Sequence, residues 1–103
     1  MPLGDVLGEA NCIASFGNIA LACSDHDAAR KAYEDALALY RTVGDVLGEA
    51  NCTFKLGDIA LARFDHDAAR KAYDDALTLY RKVSAVLGEA NCISKLEQLR
   101  NTS

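Results

Sequence analysis

The octet DVLGEANC stands at residues 5–12 and returns at 45–52, and AVLGEANC follows at 85–92. A word repeated every forty residues is the mark of an array, in which one small structural unit is copied along the chain. Aligned without a gap, residues 5–44 and 45–84 agree at 29 of 40 positions. Residues 85–103 open a third copy and stop about halfway through it. Copies this similar point to recent duplication or to design.

Each copy holds two stretches of helical period. In the first, a step of about 100° per residue brings Val6, Ala10, Ile13, Phe16, Gly17 and Ala20 to one apolar stripe. Asn11, Ser15 and Asn18 gather on another side. The second stretch, DHDAARKAYEDALALYRTV (25–43), sets Ala29, Ala32, Tyr33, Ala36, Leu37 and Tyr40 on one face and leaves Arg30, Lys31, Glu34 and Asp35 to water. Asp25 is placed to cap that helix, with Asp27 adding negative charge in its first turn. Gly44 supplies a left-handed stop, and Asp45 caps the next helix. The pattern predicts helices over about 5–23, 26–43, 45–63, 66–83 and 85–100. The links between them are short, so neighbours run antiparallel. One domain spans 1–103, made of a first repeat over 5–44, a second over 45–84 and a terminal half-repeat over 85–100.

The glycine inside each octet costs about 1 kcal/mol against alanine in a helix. A missing side chain lets another helix come close, and the sequence places Tyr40 over Gly48 and Tyr80 over Gly88. Gly8 is the third member of the set.

Composition narrows the function. Half of the residues are hydrophobic and a quarter are charged, which excludes a disordered chain. A net charge of −4 argues against nucleic acid as a partner. No apolar run approaches the ~20 residues needed to span a bilayer, and MPLGDVLG has no signal-peptide pattern. The reading is cytoplasmic. Cys12, Cys52 and Cys92 occupy the same place in successive copies, farther apart than the ~7 Å between Cα atoms that a disulfide spans. They read as small buried thiols, with Cys23 unpaired. No nucleophile elbow, phosphate loop or metal-binding spacing occurs, so no enzyme activity, cofactor or metal is expected. The two DHD corners, 25–27 and 65–67, read as helix caps.

In Ile13, Phe16, Gly17 and Ala20, followed by Ala29, Tyr33 and Ala36, and more closely in Leu56, Gly57, Ala60, Ala69, Tyr73 and Ala76, the chain resembles the tetratricopeptide repeats. Its forty-residue unit is similar to the long-unit branch of that family. The resemblance implies an all-α solenoid of stacked antiparallel hairpins, two full repeats and one terminal helix, with a concave groove lined by the first helix of each pair. It implies a non-catalytic scaffold that docks a protein or an extended peptide. By that resemblance the groove residues are Asn11, Ser15 and Asn18 in the first copy, with Ala14 beside them. They are Asn51, Phe54, Lys55 and Asp58 in the second, and Asn91, Lys95 and Gln98 in the third, with Ser94. Asn11, Asn51 and Asn91 form a ladder suited to a peptide backbone. Chaperone-binding relatives hold carboxylates with a set that Asn18 matches, but Ala14, Lys55, Asn91 and Lys95 depart from it, so that clamp is not reproduced.

The competing reading is a self-association module without a separate ligand. Ile93, Leu96 and Leu99 stay apolar in the third copy with no sixth helix to cover them, and Glu97 and Arg100 begin to polarise it. Two and a half units are few for a stable array, so a homodimer through the open ends is the alternative.

Overall fold

A computed structural model describes residues 3–102; the side chains of Leu3 and Thr102 and the residues beyond them, including Pro2, lie outside the description. Five helices run in order: α1 (Leu3–Ala22), α2 (His26–Val43), α3 (Val46–Ala62), α4 (His66–Lys82) and α5 (Val86–Thr102). There is no strand among the described residues. Each helix packs chiefly on its chain neighbours, and the array measures 46 × 31 × 18 Å.

The ends of the helices follow from single residues. Asp25, Asp45 and Asp65 each accept a hydrogen bond from the backbone N–H three residues on, at 3.2, 3.0 and 3.2 Å. That satisfies one of the N–H groups a helix start leaves without a partner. Gly44 ends α2 in the left-handed conformation, φ 73°, and the next N–H, Asp45, reaches back to the Tyr40 carbonyl at 2.9 Å. Ser24, Phe64 and Ser84 hold the same left-handed turn without being glycine, at φ 60°, 61° and 56°. The first helix departs from its expected start at about residue 5: it is helical from Leu3, so Asp5 lies inside its first turn. At the other end α5 runs to Thr102, two residues past the expected stop.

Alanine and tyrosine build the core. Ala29, Ala36, Ala69 and Ala76 are fully covered, and Tyr33, Tyr40, Tyr73 and Tyr80 are at most 5% exposed. Small residues let hairpin partners approach, and the tyrosine rings fill what remains. A side chain built on Gly48 would put its Cβ 2.5 Å from the Tyr40 ring, and one on Gly88 would lie 2.5 Å from the Tyr80 ring. The octet glycine is therefore the seat of a tyrosine from the preceding helix, as its spacing predicts. Gly17 and Gly57 seat Tyr33 and Tyr73 in the same manner inside each hairpin, at 2.9 and 2.8 Å. Above Gly8 nothing lies within 4 Å.

Two burial expectations are corrected. Cys12 is exposed, while Cys52 and Cys92 are buried, because the covering helix that each later copy has is not present over α1. Leu99 is 1% exposed, packed against Ala69 and Tyr73 of α4. It belongs to the core, so it offers nothing to a partner. Ile93, at 39% exposure, remains at the surface, and Leu96 is half-buried.

Candidate functional site

The first helix of each pair turns its polar stripe to one side, and the three stripes face a common cavity of about 540 Å³. Of the expected groove residues, Asn11, Ser15, Asn18, Asn51, Phe54, Lys55 and Asn91 line it. Asp58, Lys95 and Gln98 are not part of that lining. Lys95 and Asp58 instead meet each other, Nζ to Oδ1 at 3.8 Å.

The tyrosines, expected only to pack, also organise the site. The Tyr40 hydroxyl donates to Asn11 Oδ1 at 2.5 Å and the Tyr80 hydroxyl to Asn51 Oδ1 at 2.6 Å. Tyr33 donates to Asn18 Oδ1 at 2.5 Å and Tyr73 to Asp58 Oδ1 at 2.5 Å. In the Tyr73 bond the direction is fixed by chemistry, since the Asp58 carboxylate can only accept. Each tyrosine thus does two jobs, its ring filling a glycine seat and its hydroxyl fixing a polar side chain of the groove wall. A signal for this was present in the sequence. Asn11 and Asn18 stand seven residues apart, as do Tyr33 and Tyr40, and antiparallel helices bring the two pairs into register in reverse order.

With Oδ1 engaged, the Nδ2 donors of Asn11 and Asn51 have no protein acceptor among the described residues. Asn91 is the third rung, without a tyrosine on it. Phe54 lines the cavity and packs on Tyr73, ring centroids 5.2 Å apart at 58°. The two lysines expected in the groove differ. Lys95 faces the Asp58 carboxylate, whereas Lys55 has no ion-pair partner among the described residues.

Burial governs the titrating groups here. It pushes Tyr33 and Tyr80 up to about 12, raises Tyr40, and raises Tyr73 further with the help of its bond to Asp58. Burial also pushes the Cys52 and Cys92 thiols up to about 11. Phenols and thiols held neutral across the ordinary pH range are poor nucleophiles and poor metal ligands. At the DHD corners the aspartates are engaged: Asp25 and Asp65 cap helices, and Asp27 pairs with Arg63, whose guanidinium holds that carboxyl below its usual range. Among the described residues no three His, Cys, Asp or Glu side chains stand together as a metal site requires. No helix there is long and apolar enough to cross a membrane.

The repeated hairpin, its Ala and Tyr core and its glycine seats now have a family context. A family model for the tetratricopeptide repeat matches residues 9–82, most of α1 through the last residue of α4. The chain belongs to the tetratricopeptide repeat family. Comparison with curated proteins gives no match. Membership makes protein–protein interaction the general role of this array and protein the general class of its partners. In family terms α1 and α3 are the first helices of their repeats and α2 and α4 the second.

Proposed function

We propose that this chain is a non-catalytic docking scaffold that holds an extended peptide segment in the groove between Asn11 and Asn91. The observation that carries the reading is the pair of carboxamides, Asn11 and Asn51, whose oxygens are held by tyrosine hydroxyls while their Nδ2 donors remain for a ligand. An extended peptide offers carbonyl acceptors at regular intervals, which suits a ladder of donors. Lys55, free of any carboxylate, adds attraction for an acidic group, and Phe54 adds apolar contact beside it. Four free thiols, with Cys12 and Cys23 exposed, fit a reducing, cytoplasmic setting.

The test is selection of linear peptides from a random displayed library on the intact chain. Selected peptides are expected to lose at least about tenfold in affinity for Lys55→Glu combined with Asn91→Ala, a loss of ~1.4 kcal/mol. Neither residue has a hydrogen-bond or ion-pair partner among the described residues, so helicity by circular dichroism should stay as in the wild type. Peptides that bind the double variant equally well contradict the groove. A second reading, self-association without a separate ligand, is supported by the apolar side chains at the ends, Phe16 and Ile19 at one and Val86 and Leu87 at the other.

A further inference from the structure

Residues forty apart are structural equivalents, and one such pair differs in charge alone. Asn18 of α1 has Asp58 of α3 as its counterpart, and Lys55 of α3 has Lys95 of α5. The repeat therefore sets two equivalent couples, Asn18 with Lys55 and Asp58 with Lys95. Asn18 and Asp58 are held alike, the Tyr33 hydroxyl donating to Asn18 Oδ1 and the Tyr73 hydroxyl to Asp58 Oδ1, both at 2.5 Å. The lysines are not. Lys95 Nζ lies 3.8 Å from that same Asp58 Oδ1. Lys55 lines the cavity with Asn18 and has no carboxylate partner among the described residues.

We infer that the residue at 18 and 58 decides which lysine takes an acidic side chain from a docked peptide. Asn18 leaves Lys55 open, Asp58 closes Lys95, and the groove accepts a segment with a single acidic residue, seated at Lys55. The inference rests on the groove reading above and names the chemistry of its ligand. An incoming carboxylate at Lys95 also meets Asp58, so attraction and repulsion act at similar distances and offset each other. Asp58 cannot turn away without giving up the Tyr73 hydroxyl, and its side chain is only 24% exposed, so water screens the repulsion in part. At Lys55 the corresponding neighbour is a neutral carboxamide, and attraction stands alone. Among the described residues Lys55 is the sole charged side chain on the cavity wall. Asn11, Ser15 and Asn51 around it offer hydrogen bonds and no charge. A second acidic residue therefore finds no open cation, and selectivity comes as much from the repelling carboxylate as from the attracting lysine.

Asparagine and aspartate have nearly the same shape, which makes the test clean. Asn18→Asp and Asp58→Asn each keep the oxygen that the tyrosine needs, and together they leave the net charge at −4. Asp58→Asn copies a bond that Tyr33 and Asn18 already make, so circular dichroism of these variants should match the wild type. Linear peptides are selected from a random displayed library on the intact wild-type chain and on the double variant. Wild-type peptides should carry one acidic position and lose at least about threefold in affinity when it is changed to its amide. They should lose as much on Lys55→Gln and nothing on Lys95→Gln. Peptides selected on the double variant should show the reverse, dependence on Lys95 and indifference to Lys55. Asp58→Asn alone should select peptides with two acidic positions.

A double variant whose peptides still depend on Lys55 alone overturns the inference and leaves the groove standing. So does an Asp58→Asn chain that selects no second acidic residue. An empty selection, or peptides insensitive to Lys55→Glu combined with Asn91→Ala, removes the groove reading and this inference together.

Discussion

The same octet stands near the start of α1, at residues 5–12, and of α3, at 45–52, and meets different surroundings. In α3 the octet receives Tyr40 on Gly48 and Arg41 on Glu49, and Ile59 further along is 2% exposed. In α1 Gly8 is uncovered, and Ile19, the counterpart of Ile59, is 64% exposed. The difference teaches that the octet specifies a surface and not a burial state. Burial comes from the neighbour, as expected for an array whose units shield their apolar faces only against one another.

The comparison can be broken most forcefully with alkali, which acts on all the buried phenols and thiols together. Their values are raised in the folded chain, from 9.0 toward about 11 for Cys52 and Cys92 and from 10.0 toward about 12 for Tyr33 and Tyr80. Below pH 9 both folded and unfolded chains hold these protons, and stability is independent of them. Above it the unfolded chain releases protons that the folded chain keeps, so stability falls as pH rises toward 12. Urea midpoints across that range should decline in parallel with tyrosinate absorbance, and a flat profile would remove the tyrosines from the core. A single-site version follows. Ile59→Ala should cost about 3 kcal/mol in urea unfolding, whereas Ile19→Ala should cost less than about 0.5 kcal/mol. Equal losses would mean that α1 is covered after all. Tyr40→Phe keeps the ring on Gly48 and removes the bond to Asn11, for an expected loss of about 1 kcal/mol. The smallest contrast is electrostatic. Glu49→Gln should cost no more than about 0.5 kcal/mol through its surface pair with Arg41, and Glu9→Gln, without a partner, should change nothing.

The fold was legible because local rules and the long repeat agree. The alanine and tyrosine spacing of α2 and α4, the aspartate caps and Gly44 each mark the same boundaries, and the seating of Tyr40 on Gly48 follows from counting residues. What the spacing could not give was which of two apolar faces has a neighbour. Phe16 is 57% exposed for that reason although it stands in an apolar stripe. Leu99 could have been read correctly, since it aligns with Ile59, a core position. The groove was legible as a stripe of polar residues, six of which line one cavity together with Phe54. Its wall was not, because a tyrosine hydroxyl that holds an asparagine oxygen depends on how two antiparallel helices come into register.

The account rests on the octet glycine serving as a tyrosine seat wherever a helix precedes it. The direct measurement is urea unfolding of Gly48→Leu beside Gly8→Leu. Gly48→Leu should lose about 3 kcal/mol, because its Cβ alone would lie 2.5 Å from the buried Tyr40 ring. Gly8→Leu should be neutral or slightly stabilised, since leucine is the better helix former at an uncovered site. Equal stability of the two variants would contradict the stacking described for every copy of the repeat.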